Sequence, residues 1–390
     1  MRMRALATAL LLPVLGGCGL FSTHSNAVPP AKLMPFSAQL KISRLWSHET
    51  GNGSGGYNLA LRPALVQGVI YVANEDGVVA AYRAEDGHKL WRRHLKAQIT
   101  GGVGVGQGLV VVGTRRGHVI ALKMSDGALS WDVRAPSEVL TAPVVRDQAV
   151  YVASLDGHVA AFGLAHGRRL WLAAHVEPSL KLYLTARPSV SSGVVYEGYP
   201  NGEVVALHTE DGQRLWTSAI AQMRGGDAVE RLIDVAHPIV AQNLVYANGY
   251  HGNVVALARH SGRILWSRPL SSYRSMAVGG QSLYVVTAHG RVMALATATG
   301  GTVWTQKAFL NRRLGSPALA GPAVVVGDLQ GYTQWLSRRT GVLLARQRVG
   351  EGAIRTAPLV AAVGAQGLPT VFVLTTTGRL TALSFKPKQP

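Results

Sequence analysis

Cysteine occurs once in the chain, at position 18. A lone thiol excludes an intrachain disulfide framework and argues against a zinc–thiolate site. Acidic residues are scarce too: 20 Asp and Glu stand against 39 Lys and Arg, a formal net charge of +19. Hard cations need several converging oxygens, yet the acids are scattered, many in turns such as those of Asp76, Asp86, Asp126, Asp156 and Asp211. Turn aspartates of this kind are structural, bonding to their own backbone. The histidines His118, His158, His251 and His289 also sit beside turn glycines in different parts of the chain, so no shared metal site is expected. "GGVGVGQG" (Gly101 to Gly108) is followed by the strand-like "LVVVG" rather than a helix, which excludes a dinucleotide loop. No Ser-His-Asp or Cys-His arrangement can be assembled. Together these absences point away from an enzyme, a cofactor and a small-molecule substrate.

What the chain has is a repeat. Turn glycines at Gly77, Gly117, Gly157, Gly202, Gly252, Gly290, Gly331 and Gly378 recur at roughly 38 to 50 residues, the spacing of propeller blades. A short alternating strand follows each, as in "VVAAY" (Val78 to Tyr82) and "EVVAL" (Glu203 to Leu207). Then comes a second turn such as "EDG", and in most units a tryptophan: Trp91, Trp131, Trp171, Trp216, Trp266 or Trp304. Asp-Gly pairs suit tight hairpins because glycine accepts positive φ. Four short strands per unit and eight units predict an all-β, eight-bladed β-propeller of four-stranded antiparallel blades.

The ends complete each other. Gly378 is followed by "RLTALSF" but by no Trp-bearing strand, whereas "ISRLWSHET" (Ile42 to Thr50) carries Trp46 without the rest of a unit. The N-terminal strand is therefore expected to complete the last blade and close the ring, leaving no open edge. The seventh unit is degenerate, with Gly341 followed by "VLLARQ" and no Trp. The tryptophans are expected to pack between blades rather than stack on a ligand.

The first residues read as an address. Arg2 and Arg4 precede an apolar run from Ala5 to Leu15 that is too short for an ordinary membrane span and has signal-peptide form. "LGGC" resembles a bacterial lipobox, Leu15-Gly16-Gly17 before the lipidated Cys18. Gly19 after the cysteine implies, by the rule for such lipoproteins, sorting to the outer membrane. The expected organisation is a signal peptide over 1–17, a lipidated flexible tether over 18–40, the propeller over 41–386 and a tail over 387–390. Stable anchoring takes more than one acyl chain, which a lipidated and acylated cysteine supplies.

The charge has a bland reading. Arg92-Arg93, Arg115-Arg116, Arg168-Arg169, Arg312-Arg313 and Arg338-Arg339 fall in different blades, with no aromatic-interleaved basic stripe. This is a solvated basic surface rather than a nucleic-acid site, with anionic lipid or an acidic partner as the alternative.

The connections between blades are unequal. The step from Trp to the next unit's proline lengthens from Trp131–Pro143 to Trp171–Pro188 to Trp216–Pro238. The extra length enters blades four and five, and such links emerge on one face of the disc, so the two loops are expected to form one raised patch. Long loops on a rigid scaffold are where binding concentrates. The first carries Leu180, Leu182, Tyr183 and Leu184, and the second Arg224, Asp227, Glu230, Arg231 and Asp234. Apolar anchors inside a charged rim suit a protein interface.

A lipobox followed by one propeller of "DGxVxALxxxDGxxLW" units resembles the BamB family, lipoproteins of the outer-membrane β-barrel assembly machinery. The likeness covers essentially the whole mature chain. It is sharpened by "ETGNGSGGYNLALRPAL" (Glu49 to Leu65), "EPSLKLYLTARPSV" (Glu177 to Val190), "GGDAVERLIDVAHPIV" (Gly225 to Val240) and "SPALAGPAVVVGDLQGYTQWLS" (Ser316 to Ser337). The resemblance implies a non-catalytic scaffold whose two long loops contact the periplasmic domains of BamA. Leu180 and Leu182 match the family's two leucines, and Arg231 and Asp234 its arginine and first aspartate. Tyr183 stands where the family has an arginine and Ala236 where it has a second aspartate, so two charges of the usual contact are absent. The repeat is shared with quinoprotein dehydrogenases that use pyrroloquinoline quinone and calcium. A quinoprotein, or a scaffold of some other envelope complex, is therefore the alternative reading.

Overall fold

The computed structural model describes residues 28–388 except 58, 179, 182–185, 223–231 and 365–366. Every regular element among them is a β-strand. The strands form eight antiparallel sheets, seven of them running in sequence from an inner to an outer strand and the eighth taking its outer strand from the N-terminal end. Blade one, for example, comprises Ala64–Val66, Val69–Ala73, Val78–Arg83 and Lys89–His94. The inner strands of successive blades neighbour one another around a central axis. The chain is thus an eight-bladed propeller, and its last blade is completed as expected: Leu40–Glu49 pairs antiparallel with Arg379–Pro387.

Hairpin chemistry sets the blades. In the outer turn of blade two, the Asp126 carboxylate accepts the Ala128 N–H at 2.8 Å while Gly127 adopts φ +70°. Gly127 is required twice over. A Cβ there would stand 2.7 Å from Trp91 Cε3 of blade one. The same turn glycine lies under the preceding blade's tryptophan at Gly167, Gly212, Gly262, Gly300 and Gly341. Each indole then donates to a carbonyl of the next blade: Trp91 to Met124 at 2.9 Å, Trp131 to Leu164 at 2.7 Å, Trp171 to Thr209 at 2.8 Å. Trp46 does the same from the closing strand, donating to Ala84 of blade one at 3.1 Å. The tryptophans are interblade staples, each burying a large apolar ring and satisfying its one donor.

The core is a set of interblade clusters. Tyr71, Val79, Ile99, Val110 and Val112 pack between blades one and two, and Tyr196, Val204, Val235, Val245 and Val255 between blades four and five.

The segment expected to be tether up to about residue 40 instead docks on blade seven from Ala31 onward. The Ala31 N–H donates to Leu310 O, and the Gln39 N–H to Leu344 O. Leu33 packs against the core between blades six and seven. Arg312, buried in an ion pair with Asp328 at 2.7 Å, donates a further bond to Ala31 O at 2.9 Å. The cause is local: blade seven offers a buried arginine with donors to spare and an apolar groove that Leu33 fills. The signal peptide, Leu15, Gly16, Gly17 and Cys18 lie outside the described residues.

Candidate docking site at blades four and five

The first long loop leaves the outer strand Arg169–Ala174 and re-enters at Ser189–Ser191. Its start is pinned. His175 Nε2 lies 2.8 Å from Glu203 Oε2, and its ring packs on Tyr199 at a centroid distance of 4.1 Å. Lys181 bonds to the Glu177 carboxylate and to the Leu155 carbonyl in blade three. Leu180, next to that anchored lysine, is 51% exposed. An apolar side chain is thus exposed beside an anchored lysine. Leu182 and Tyr183 lie outside the described residues, as does Arg231 of the second loop.

The second loop ends in a short added strand, Asp234–Val235, paired with Gly249 and Tyr250 of blade five. Ile233 and Val235 on either side are buried, and Val235 packs where Gly198 of blade four leaves room. This draws Asp234 inward. The sequence places it in the charged rim of the patch as a partner contact, but it is only 6% exposed, and its Oδ1 has no hydrogen-bond partner. Burial and the nearby Glu177 push its carboxyl up to about 7.

A third carboxyl completes the arrangement. Glu197, in the second strand of blade four, is 1% exposed with neither carboxylate oxygen bonded. Burial, then Glu177 and Asp234, hold its carboxyl well above the usual carboxylate range. Glu177 therefore acts on one residue from the second loop and one from the blade beneath, which ties the two loops into one electrostatic unit. A cavity of about 10 Å³, lined by Glu177, Glu197 and Tyr199, lies between blades three and four. That is room for roughly one water.

Glu197 escaped the reading of the sequence, although a signal existed. The same column of the repeat holds Val72, Val112, Val152, Ala247, Val285, Val326 and Val373. An acid in a column of small apolar residues marks a functional or strained position. Among the described residues no group of three or more His, Cys, Asp or Glu is placed to hold a metal ion, so the three carboxyls form no metal centre.

The comparisons with known proteins agree with this architecture. A family model described as outer membrane protein assembly factor BamB matches residues 75–306. The protein of that name from Pseudomonas aeruginosa is 37% identical over 354 residues, covering 90% of this chain and 93% of the relative. The Escherichia coli protein is 36% identical over 374 residues, covering 93% and 95%. Among solved structures, BamB from Moraxella catarrhalis superposes with a TM-score of 0.78 at 24% identity, covering 88% of this chain and all of that one. The quinohemoprotein alcohol dehydrogenase of Comamonas testosteroni reaches 0.69 at 15% identity, covering 90% and 77%, a likeness of fold alone. With a matched family model over more than half its length and relatives above 30% identity along nearly all of it, the chain belongs to the family of outer membrane protein assembly factor BamB.

Proposed function

We propose that this protein is a non-catalytic scaffold of the machinery that assembles β-barrel proteins into the outer membrane. It is held at that membrane by lipid on Cys18, faces the periplasm, and docks the periplasmic domains of BamA through the loops entering blades four and five. The observation that carries the docking surface is Leu180, half exposed beside a lysine anchored to blade three. A rigidly presented leucine is a fitting interface anchor, because little conformational entropy remains to be lost on binding.

Leu182 and Tyr183 follow in the same loop and supply further apolar area, with Arg231 from the second loop as the polar rim. Asp234 contributes differently from a rim charge: it is buried at the end of the second loop, in the strand paired with Tyr250, rather than exposed to the partner's charges.

The test is affinity capture of the lipidated protein from detergent-solubilised envelopes, followed by titration of BamA periplasmic domains against the wild type. Recovery of BamA and saturable binding are expected. Capture of a different envelope complex without BamA would overturn the assignment.

A further inference from the structure

The central channel presents cations that no acid of the described residues meets. Each inner strand follows a link from the outer strand of the preceding blade, and a proline or an apolar residue stands at its start. The residue just before it is Arg62 in blade one, Arg187 in blade four and His237 in blade five, whereas blades two, three and eight have Gly102, Ala142 and Ala357 there. The repeat therefore places three basic side chains at one level of the ring.

The backbone at that level is fixed by bonds between neighbouring blades. The Arg62 N–H donates to Gly102 O at 3.0 Å, and the Val103 N–H to Arg62 O at 3.1 Å. His237 Nδ1 lies 2.6 Å from Arg187 O, so it carries the proton and donates. Ser189 Oγ donates to Pro238 O and lies 3.5 Å from His237 Nε2.

The charges of these basic side chains act on one another across the axis. Blade one is separated from blades four and five by blades two and three on one side and by blades six to eight on the other. Charges on these blades interact at close range only through the lumen. Burial and then Arg62 bring Arg187 down to about 9, and burial, Arg187 and Arg62 hold His237 down to about 3. No carboxylate of the described residues lies within ion-pair distance of Arg62 or Arg187. Arg187 Nε is fully enclosed and has no hydrogen-bond partner. Two guanidinium groups confined together without a counter-charge are costly. Arg274 and Arg355, on the links into blades six and eight, keep the approach positive; the former donates to Leu314 O and the latter to Tyr57 O.

We infer that the axial channel binds a phosphate-class oxyanion between Arg62 and Arg187. A dianion neutralises both guanidinium groups where chloride neutralises one, and the planar forks match oxyanion geometry. The phosphate comes either free in solution or on a lipid headgroup, and the two sources share this chemistry. The site lies at the axial ends of the docking loops, Arg187 closing the first and His237 the second, and its chemistry does not depend on the identity of the partner.

The test uses the full-length chain in neutral detergent, titrated with inorganic phosphate by calorimetry and by thermal melts against sodium chloride of matched ionic strength. A second arm uses micelles doped with phosphatidic acid or, as control, diacylglycerol. The expected result is saturable phosphate binding and a rise in melting temperature that chloride does not give. Arg62→Gln and Arg187→Gln should each weaken binding at least about tenfold, while Arg116→Gln on an exposed turn leaves it unchanged. In phosphate-free buffer each channel variant should melt no lower than wild type, because a repelling pair is relieved; a purely structural arginine would lower it. Should Arg187→Gln fail to fold, Arg62→Gln and Arg187→Lys carry the same comparison, the lysine variant keeping charge but losing the fork. Binding of inorganic phosphate assigns a free ligand, and binding of phosphatidic acid alone assigns a headgroup. Equal responses to phosphate and chloride in the first arm with no headgroup binding in the second, or undiminished binding in both arginine variants, overturn the inference.

Discussion

Trp335 and Ala345 face each other across the third and fourth strands of blade seven, the reverse of the pair in the other blades. In blade one the partners are Ala81 and Trp91, in blade six Ala294 and Trp304, and in blade eight Ala382 and Trp46. The inversion has a cause. Every other outer-strand tryptophan covers the outer turn of the next blade, but in blade eight that turn does not exist, because the two strands are the opposite ends of the chain. The indole has instead moved one strand inward, is fully buried, and packs on Phe385 at 5.2 Å.

Trp335→Ala should therefore cost about 3–5 kcal/mol, the range for truncating a buried large aromatic. Restoring the usual order with Trp335→Ala and Ala345→Trp together should not recover it, since no turn glycine waits in blade eight. Urea melts of the single and double variants measure this; a double variant within about 1 kcal/mol of wild type would refute the explanation.

Gly127 and Trp91 form a second testable pair. Gly127→Ala puts a methyl against the indole at a positive φ, so it should destabilise by about 2 kcal/mol or more, above the 1 kcal/mol or so expected from backbone strain alone. In a Trp91→Ala background the clash is gone and only the backbone cost should remain. A double-mutant cycle in guanidinium chloride reads the coupling directly, and additive effects would show that the indole does not constrain the turn.

The buried carboxyls give the protein a pH signature. The Asp234 carboxyl rises from its ordinary 3.8 to about 7 in the folded protein, and Glu197 moves the same way. The folded state then holds protons that the unfolded chain has released, so these groups make stability fall as pH rises from about 4 to about 7. Glu197→Val, which restores the residue usual in that column, should raise stability at pH 8 by on the order of 1–3 kcal/mol and flatten the slope. Asp234→Asn should flatten it further. Melting temperatures across that pH range decide the matter, and a slope unchanged in both variants would mean the carboxyls are solvated.

For the docking surface, Leu180→Ala with Leu182→Ala should weaken binding of BamA periplasmic domains by at least about tenfold, equal to about 1.4 kcal/mol. Because Leu180 is half exposed, the melting temperature should hardly move. Unchanged affinity in a folded variant would place the interface elsewhere on the disc.

Cys18→Ser should abolish lipidation and release the folded propeller from the outer membrane fraction. Closing strand and blade seven are untouched by the change, so far-UV circular dichroism and melting should match wild type. Persistence in the washed membrane fraction would count against the anchor.

The architecture was readable because it is periodic. Turn glycines, the outer tryptophans and the lone Trp46 gave the blade number, the staples and the closing strand, since each rests on local geometry repeated eight times. The degenerate seventh unit was visible as a missing Trp, but its compensation was not, because Trp335 lies in a different column and its partner Phe385 is far along the chain. The burial of Asp234 is hidden for a similar reason: composition makes it a loop charge, whereas pairing with Tyr250 makes it a strand residue. Docking of residues 31–39 depends on Arg312, nearly the whole chain away, and no local pattern announces it.

That docking has a mechanical consequence. If lipid holds Cys18, the distance to the first bound residue, Ala31, can reach only about 45 Å at full extension. The tie enters the disc at blade seven, two to three blades round the ring from the loops of blades four and five. The moored edge then stays within that distance of the bilayer, and the loops of blades four and five, fixed on the same rigid disc, can stand further out by no more than the breadth of the propeller.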